Sequence, residues 1–361
     1  MKNIPGFCHD LLAWFSLNRR PLPWRRDYQP YHVWIAEIMG QQTQMERVVD
    51  YFNRWLALFP DITVLASASE LQVLKAWEGL GYYSRARNIL RAAALIVERH
   101  HGKIPSEYEE LLALPGIGPY TAAAIMSIAY NRPFPVLDAN VQRVLARLMS
   151  LDLPLRSAGA QRLLRAEVAR LMVEENPRMF NQAMMELGAL VCKPRHPSCG
   201  QCPVREHCRA LADDVVSERP LPQPRREKIR ITMACVILCH RGRIYIQKRL
   251  ADDVWGGLWE FPGGRLKSGE SPARAARREL LEETSFRAGA LRPFRTVSHC
   301  YTRYHVVLHA FFSRLDQDSA VPVLTAATSY RWINLDGLDA FPFPAGHRQL
   351  VRLLKKNRKN G

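Results

Sequence analysis

No stretch of this chain stays apolar long enough to cross a membrane. Its first residues put Pro5, His9 and Asp10 where a secretory signal needs an unbroken apolar core, so export is not expected and the expected location is the cytoplasm. Acidic residues are also few: 34 Asp and Glu stand against 51 Lys and Arg, a formal charge of +17. That imbalance makes a polyanion the natural partner, ahead of an anionic membrane surface. Internal repeats and low-complexity tracts are absent as well. Half of the eight cysteines, Cys8, Cys235, Cys239 and Cys300, are dispersed and read as free core thiols rather than a disulfide framework. What is present is ordinary globular material: 361 residues, 47% hydrophobic and 24% charged, enough for two domains that each bury a core.

The other four cysteines carry the most information. Cys192, Cys199, Cys202 and Cys208 are separated by six, two and five residues. This spacing is wrong for paired Cys-x-x-Cys zinc sites and is akin to the runs that hold iron-sulfur clusters. Lys193, Arg195, Arg205 and Arg209 are interleaved with them, so a metal-pinned loop over 192–208 presents positive charge to phosphates.

Up to about residue 210 apolar residues recur at three and four, as in Phe7, Leu11, Leu12, Phe15 and in Ile89, Ala93, Ile96, which predicts helices. Ser67-Ala-Ser-Glu70 and Ser106-Glu-Tyr-Glu109 have capping-box spacing and are expected helix starts. Residues 217–228 carry three prolines and mixed charge, so the expected order is a helical domain 1–212, a connector 213–229 and a mixed domain 230–361. The mixed domain should open with a hairpin, Ile231–Leu238 and Arg243–Lys248, around the turn at 239–242.

Leu114-Pro115-Gly116-Ile117-Gly118 precedes the apolar helix that starts near Thr121. Gly116 and Gly118 permit a tight turn whose backbone N–H groups can neutralise a phosphate without reading a base. With Thr121-Ala122, the downstream Asp138 and the four cysteines, this run resembles the helix-hairpin-helix base-excision DNA glycosylases. Leu22-Pro23-Trp24-Arg25, Pro30-Tyr-x-Val-Trp34 with Glu37, Gln41-Gln42-Thr43-Gln44, Gly79-Leu-Gly-Tyr-Tyr-Ser-Arg85, Val136-Leu-Asp-Ala-Asn140 and Phe180-Asn-Gln-Ala-Met-Met185 are similar to the adenine DNA glycosylase (MutY) family, over nearly the whole chain.

That resemblance implies an all-α glycosylase domain with one 4Fe-4S cluster on Cys192, Cys199, Cys202 and Cys208, followed by an α+β Nudix-like domain. It implies excision of adenine mispaired with 8-oxoguanine or guanine in duplex DNA, with nucleoid association through DNA binding; no oligomeric interface is evident in the sequence, so a monomer is the default expectation. The reaction needs a proton on the leaving base and a negative charge beside the cationic sugar. Glu37 lies in an apolar helical run that would raise its pKa. Residue type alone favours a solvated edge or a buried arginine partner; the resemblance makes it the general acid toward adenine N7. Asp138 is expected as an N-cap, and the resemblance adds stabilisation of the sugar, with Asn140 holding the arrangement. Tyr120 stands where backbone-cutting relatives carry a Schiff-base lysine, so the activity should be monofunctional. Gln42 and Tyr82 match residues that enter the duplex, and Arg25 and Gln182 match residues around the extruded adenine. Gly40 replaces a customary leucine.

Gly264-x5-Glu270-x7-Arg278-Glu279-Leu280-x-Glu282-Glu283-x-Ser285-Phe286 follows the Nudix box except at Ser285, where glycine is customary. Glu279, Glu282 and Glu283 could hold Mg²⁺. In the family this domain is similar in fold to MutT, usually lacks these carboxylates and reads 8-oxoguanine. The expected role is therefore a reader, with Arg274, Arg277 and Arg278 pairing the glutamates, and hydrolysis of an oxidised nucleotide is the alternative. Ser298 and His299 resemble the family's Phe-Ser-His loop, with Val297 in place of Phe. Against adenine excision stand a thymine or oxidised-pyrimidine glycosylase, a cluster-dependent DNA sensor in which Glu37 and Asp138 only pack and cap, and a Nudix hydrolase tethered to DNA.

Overall fold

The computed structural model describes residues 4–172, 176–222, 227–301, 303–315 and 320–359; positions 223–226 of the expected connector lie outside that set. The helices are α1 (Ile4–Asn18), α2 (Pro30–Gly40), α3 (Met45–Leu58), α4 (Ile62–Ser67), α5 (Glu70–Ala76), α6 (Ser84–His100), α7 (Tyr108–Leu112), α8 (Pro119–Ala124), α9 (Ala139–Leu148), α10 (Ala158–Leu171), α11 (Pro177–Leu190), α12 (Arg209–Ala212), α13 (Pro272–Thr284) and α14 (Ala345–Lys359). The strands are β1 (Ile229–His240), β2 (Arg243–Arg249), β3 (Trp259–Glu260), β4 (Gly263–Arg265), β5 (Arg292–Tyr301), β6 (Tyr304–Arg314) and β7 (Ala327–Ile333). Two compact units result, residues Met1–Ala68 with Arg87–Pro224, and residues Ser69–Ala86 with Arg225–Gly361.

In the first unit the i, i+4 stripe Phe7, Leu11, Phe15 is fully buried among residues of α9, α10 and α11, including Val144, Leu164, Val168, Phe180 and Leu187. A smaller core joins Val33 of α2 to Ala123, Ala124 and Ile128 of α8 and the π-turn Ile125–Ala129 that continues it. This packing brings the residues after the glycine hairpin alongside Glu37. Proline occupies the first position of α2, α8 and α11, where its missing N–H costs no helix bond.

The second unit takes in residues 69–86, which sequence order had assigned to the helical range 1–212. Glu78 is the reason: its carboxylate accepts from Arg348 Nε at 2.7 Å and from the Phe343 N–H at 2.8 Å, an attachment across 270 positions that no local pattern announces. The rest of the unit is a sheet ordered β3-β2-β1-β6-β5, with β4 on β1, β7 on β2, and β1 parallel to β6. Ala234, Val236 and Leu238 of β1 face α13, while Cys235 and Ile237 face the core shared with α14. Both faces are covered, which is why β1 reads as a continuous apolar run. The expected β1–β2 hairpin is present, its turn made by Arg241 and Gly242 at φ 46° and 76°.

Two expected helix starts are displaced. Ser67 ends α4, and the capping box belongs to Ser69, whose hydroxyl accepts from Gln72 N while Gln72 Oε1 accepts from Ser69 N. α7 starts at Tyr108 rather than just after Ser106, with Tyr108 stacked on Phe134 and Glu107 drawn to Arg132 at 3.1 Å.

Candidate active site

A cavity of about 850 Å³ opens in the first unit and is lined by Arg25, Glu37, Gln42, Tyr120, Asp138, Asn140 and Gln182, together with Arg20, Glu186 and others. Seven separately named sequence candidates thus meet at one place. Glu37 points from the apolar helix α2, where burial raises its pKa to about 7 against the hydrogen bond from Tyr120. The Tyr120 hydroxyl donates to Glu37 Oε2 at 2.8 Å, and burial beside two carboxyls pushes its own pKa far up, so it is a neutral donor.

Asp138 is the N-cap of α9, as expected: Oδ1 accepts from Val141 N at 2.7 Å, and Oδ2 accepts from Asn140 Nδ2 at 2.9 Å. Burial raises Asp138 from its ordinary pKa, so capping alone does not keep it at the usual aspartate value. Three hydrogen bonds and Arg143 nonetheless favour its anion, whereas Glu37 receives one from a phenol. When the two share one proton, that proton resides on Glu37.

Several residues of this site were not among the sequence candidates. Glu186, its side chain 1% exposed, receives Arg20 through Nε and Nη2, both at 2.9 Å, and Arg25 through Nη2 at 3.0 Å. Arg25 Nε also donates to Gln182 Oε1 at 2.9 Å. Burial alone would raise Glu186, but these hydrogen bonds overcome it and hold the carboxyl at about 2. Gly188 lets α11 press on α9, since a Cβ there would lie 2.6 Å from that of Asn140. The i, i+4 spacing of Gln182 and Glu186 on a helix with two arginines upstream was the one signal available.

Asn140 Oδ1 in turn accepts from Arg143 Nη2 at 2.9 Å, and Arg143 Nε donates to the Cys192 carbonyl at 2.8 Å. Cys192, Cys199, Cys202 and Cys208 line a single small cavity with Arg147, whose Nη1 donates to Cys192 Sγ at 3.3 Å. No three His, Cys, Asp or Glu side chains among the described residues converge as they would on one ion. Four cysteines lining one void, with the Arg147 guanidinium beside Cys192, fit an iron-sulfur group. Burial pushes Cys202 up to about 12 and raises Cys208, so thiolates there need cationic partners, which iron provides.

In the hairpin, Gly116 has φ 78°, and a Cβ there would lie 2.6 Å from Asn88 Cβ. Gly118, the N-cap of α8, is extended at φ −96° with open space around it. Only Gly116 therefore needs glycine for its conformation. Gln42 and Tyr82 both have positive φ, at 59° and 47°; Gln42 lines the cavity, and Tyr82 belongs to the second unit with its ring 5.6 Å from that of Tyr301.

Ser298 and His299 lie within the edge strand β5, not in a loop, so their side chains take opposite faces. Ser298 is exposed. His299 is wedged 6.2 Å from the Trp255 ring and against Gly346, where a Cβ would approach it to 3.0 Å, with both ring nitrogens buried and unpartnered. In the Nudix box a Cβ on Gly264 would meet the Glu279 carboxyl at 2.4 Å, and Ser285 takes the left-handed C-cap conformation, φ 59°, in which glycine is customary. Arg278 pairs the glutamates, reaching Glu270 at 2.9, Glu279 at 2.7 and Glu282 at 3.0 Å, and Lys267 Nζ lies 3.9 Å from Glu282. Arg274 and Arg277, also expected in that role, are exposed, and among the described residues neither makes an ion pair with these glutamates. Glu283 turns inward to Gln247 Nε2 and Gly263 N, both at 2.9 Å, and burial beside Glu260 pushes it up to about 8. No helix among the described residues is long and apolar enough to cross a membrane.

Residues 35–164 match the HhH-GPD superfamily of base excision DNA repair proteins, residues 192–208 the iron-sulfur binding domain of endonuclease III, and residues 233–353 the NUDIX domain. The chain is 31% identical to the adenine DNA glycosylase of Mus musculus, across 99% of this chain and 79% of that protein. It is 33% identical to the adenine DNA glycosylase of Homo sapiens, across 91% and 70%. Among solved structures, a thermostable thymine-DNA glycosylase superposes at a TM-score of 0.53 and 25% identity, covering 58% of this chain and 97% of that one.

Proposed function

Because this chain belongs to the adenine DNA glycosylase family of base excision repair and carries its iron-sulfur domain, we propose that Glu37 and Asp138 divide the excision between them. The carrying observation is that two carboxyls of unlike environment line one cavity of the size that small-molecule sites have. Glu37, with Oε2 held by Tyr120, keeps its proton on Oε1 and delivers it to adenine N7 as the glycosidic bond breaks. Asp138, held by Val141 and Asn140, stabilises the cationic sugar electrostatically or bonds to it transiently until water completes hydrolysis. Arg25 and Gln182 hold the flipped base, and Gln42 and Tyr82 fill the duplex it leaves. No lysine lines the cavity among the described residues, and Tyr120 cannot form an imine, so the product is an abasic site with an intact strand.

Cys192, Cys199, Cys202 and Cys208 hold the 4Fe-4S cluster. When bound, it cross-links four points of an otherwise irregular loop and brings its basic side chains to bear on phosphates. The backbone of Gly116–Gly118 supplies a second phosphate contact. In the domain that begins near residue 230, Arg278 engages Glu270, Glu279 and Glu282, which supports a reader of 8-oxoguanine over a hydrolase. Ser298, on the open face of β5, and His299 beneath it belong to that reader. The active species is a monomer acting on A:8-oxoguanine and A:G pairs.

The test is a set of duplexes with adenine opposite 8-oxoguanine, opposite guanine and opposite thymine, treated with alkali after incubation. Cutting confined to the adenine strand of the two mispairs is expected. Cutting at thymine instead, or binding without cutting, would reject the reading.

A further inference from the structure

The cavity holds one more carboxylate than excision requires. Glu186 lies one helical turn beyond Gln182 on α11 and receives four hydrogen bonds from the two guanidiniums and one from the Arg20 backbone N–H. Arg25 is 10% exposed, so its charge is poorly screened by water, and its field acts directly on Glu37 to favour the carboxylate. A general acid beside an uncompensated buried guanidinium would lose its proton. The charged and titratable groups around Glu37 are Tyr120 of α8, Asp138 at the start of α9, Arg20 and Arg25 of the segment before α2, Glu46 of α3 and Glu186 of α11. Tyr120 is neutral and Glu46 faces the more exposed Arg20, which leaves Glu186 as the anion in direct contact with Arg25.

We infer that Glu186 is a positioning residue for adenine excision: it anchors Arg25 for base binding while neutralising that guanidinium, so that Glu37 stays protonated at working pH. The inference rests on the reading of Glu37 as the acid. It adds that acid strength in this site is set by a carboxylate that touches neither the base nor the sugar.

The experiment pairs two readouts on the cluster-loaded full chain. Infrared difference spectra against the matching E37Q background give the Glu37 titration midpoint, and single-turnover excision gives the pH–rate profile. In E186Q the midpoint should fall by about one pH unit or more, the usual effect of a bare opposite charge a few ångströms away in a water-poor site. The alkaline limb of the profile should fall with it, costing about tenfold in rate above neutral pH and little near about pH 5. E186D, which keeps the charge, should hold the parent limb. R25Q, which removes the guanidinium, should raise the midpoint, an effect that simple loosening of the site does not produce. An unmoved midpoint in E186Q, or no rise in R25Q, overturns the inference. A midpoint that falls while the rate limb stays put upholds the electrostatic role of Glu186 and instead refutes Glu37 as the acid.

Discussion

Replacing Gly116 and Gly118 by alanine, one at a time, separates what the hairpin needs for folding from what it needs for DNA. At Gly116 the added methyl meets Asn88 Cβ at 2.6 Å on a backbone at φ 78°. The left-handed conformation costs about 1–2 kcal/mol for an alanine. The contact is with the root of a helical side chain, not a flexible tip, so relief requires α6 and the hairpin to part and adds about 1–3 kcal/mol of the overpacking kind. G116A should therefore lose roughly 2–5 kcal/mol of first-unit stability. At Gly118 the backbone is extended and nothing lies within 4 Å, so G118A should stay within about 0.5 kcal/mol of the parent. Its methyl nonetheless stands beside the N–H groups offered to phosphate, and duplex affinity should fall by a similar factor for mispaired and normal DNA. Guanidinium denaturation followed by the visible absorbance of the cluster reads the first unit; filter binding reads the second effect. A cycle with N88G, which itself costs about 1 kcal/mol in a helix, should show G116A less damaging in the N88G background by about 1 kcal/mol or more. Parent-like stability of G116A, or a loss unaffected by N88G, would refute the steric argument.

Asp138→Asn should abolish excision, by about a hundredfold or more in single-turnover rate, because the charge beside the sugar is gone; asparagine caps as well as aspartate, so melting temperature and duplex affinity should hold. Gly188→Ala pushes on Asn140 and should cost excision rate with duplex affinity kept, as measured on the same substrates. Ser285→Gly relieves a left-handed cap and should stabilise the second unit by about 1 kcal/mol in thermal unfolding. Borohydride trapping with A:8-oxoguanine duplex should give no strong covalent adduct, since only an amine forms the reducible imine. The full chain with Mg²⁺ should release no pyrophosphate from 8-oxo-dGTP, while turnover there would return Glu279, Glu282 and Glu283 to a metal-binding role.

Much of the architecture is local chemistry. The stripe on α1, the Asp138 cap, the Arg241-Gly242 turn and the glycine at 116 each depend on a few neighbouring residues, and each lies where its pattern indicated. Where two patterns overlapped, the indication slipped: Ser67-x-x-Glu70 and Ser69-x-x-Gln72 differ by two residues, and only the second closes its hydrogen bonds.

By itself, the order of residues pointed to a polyanion partner, the helical and mixed halves and the cysteine loop, which follow from residue type at short spacing, whereas Glu37 and Asp138 stood out only through resemblance to a family. Tertiary structure alone decided that Glu186 would hold two arginines 161 and 166 positions away, that residues 69–86 would pack with the second unit, and that Ser298 and His299 would point to opposite faces of a strand. It also decided that both Glu37 and Asp138 are raised by burial, because a pKa measures water excluded and charges approached, and both are set by segments remote in the chain.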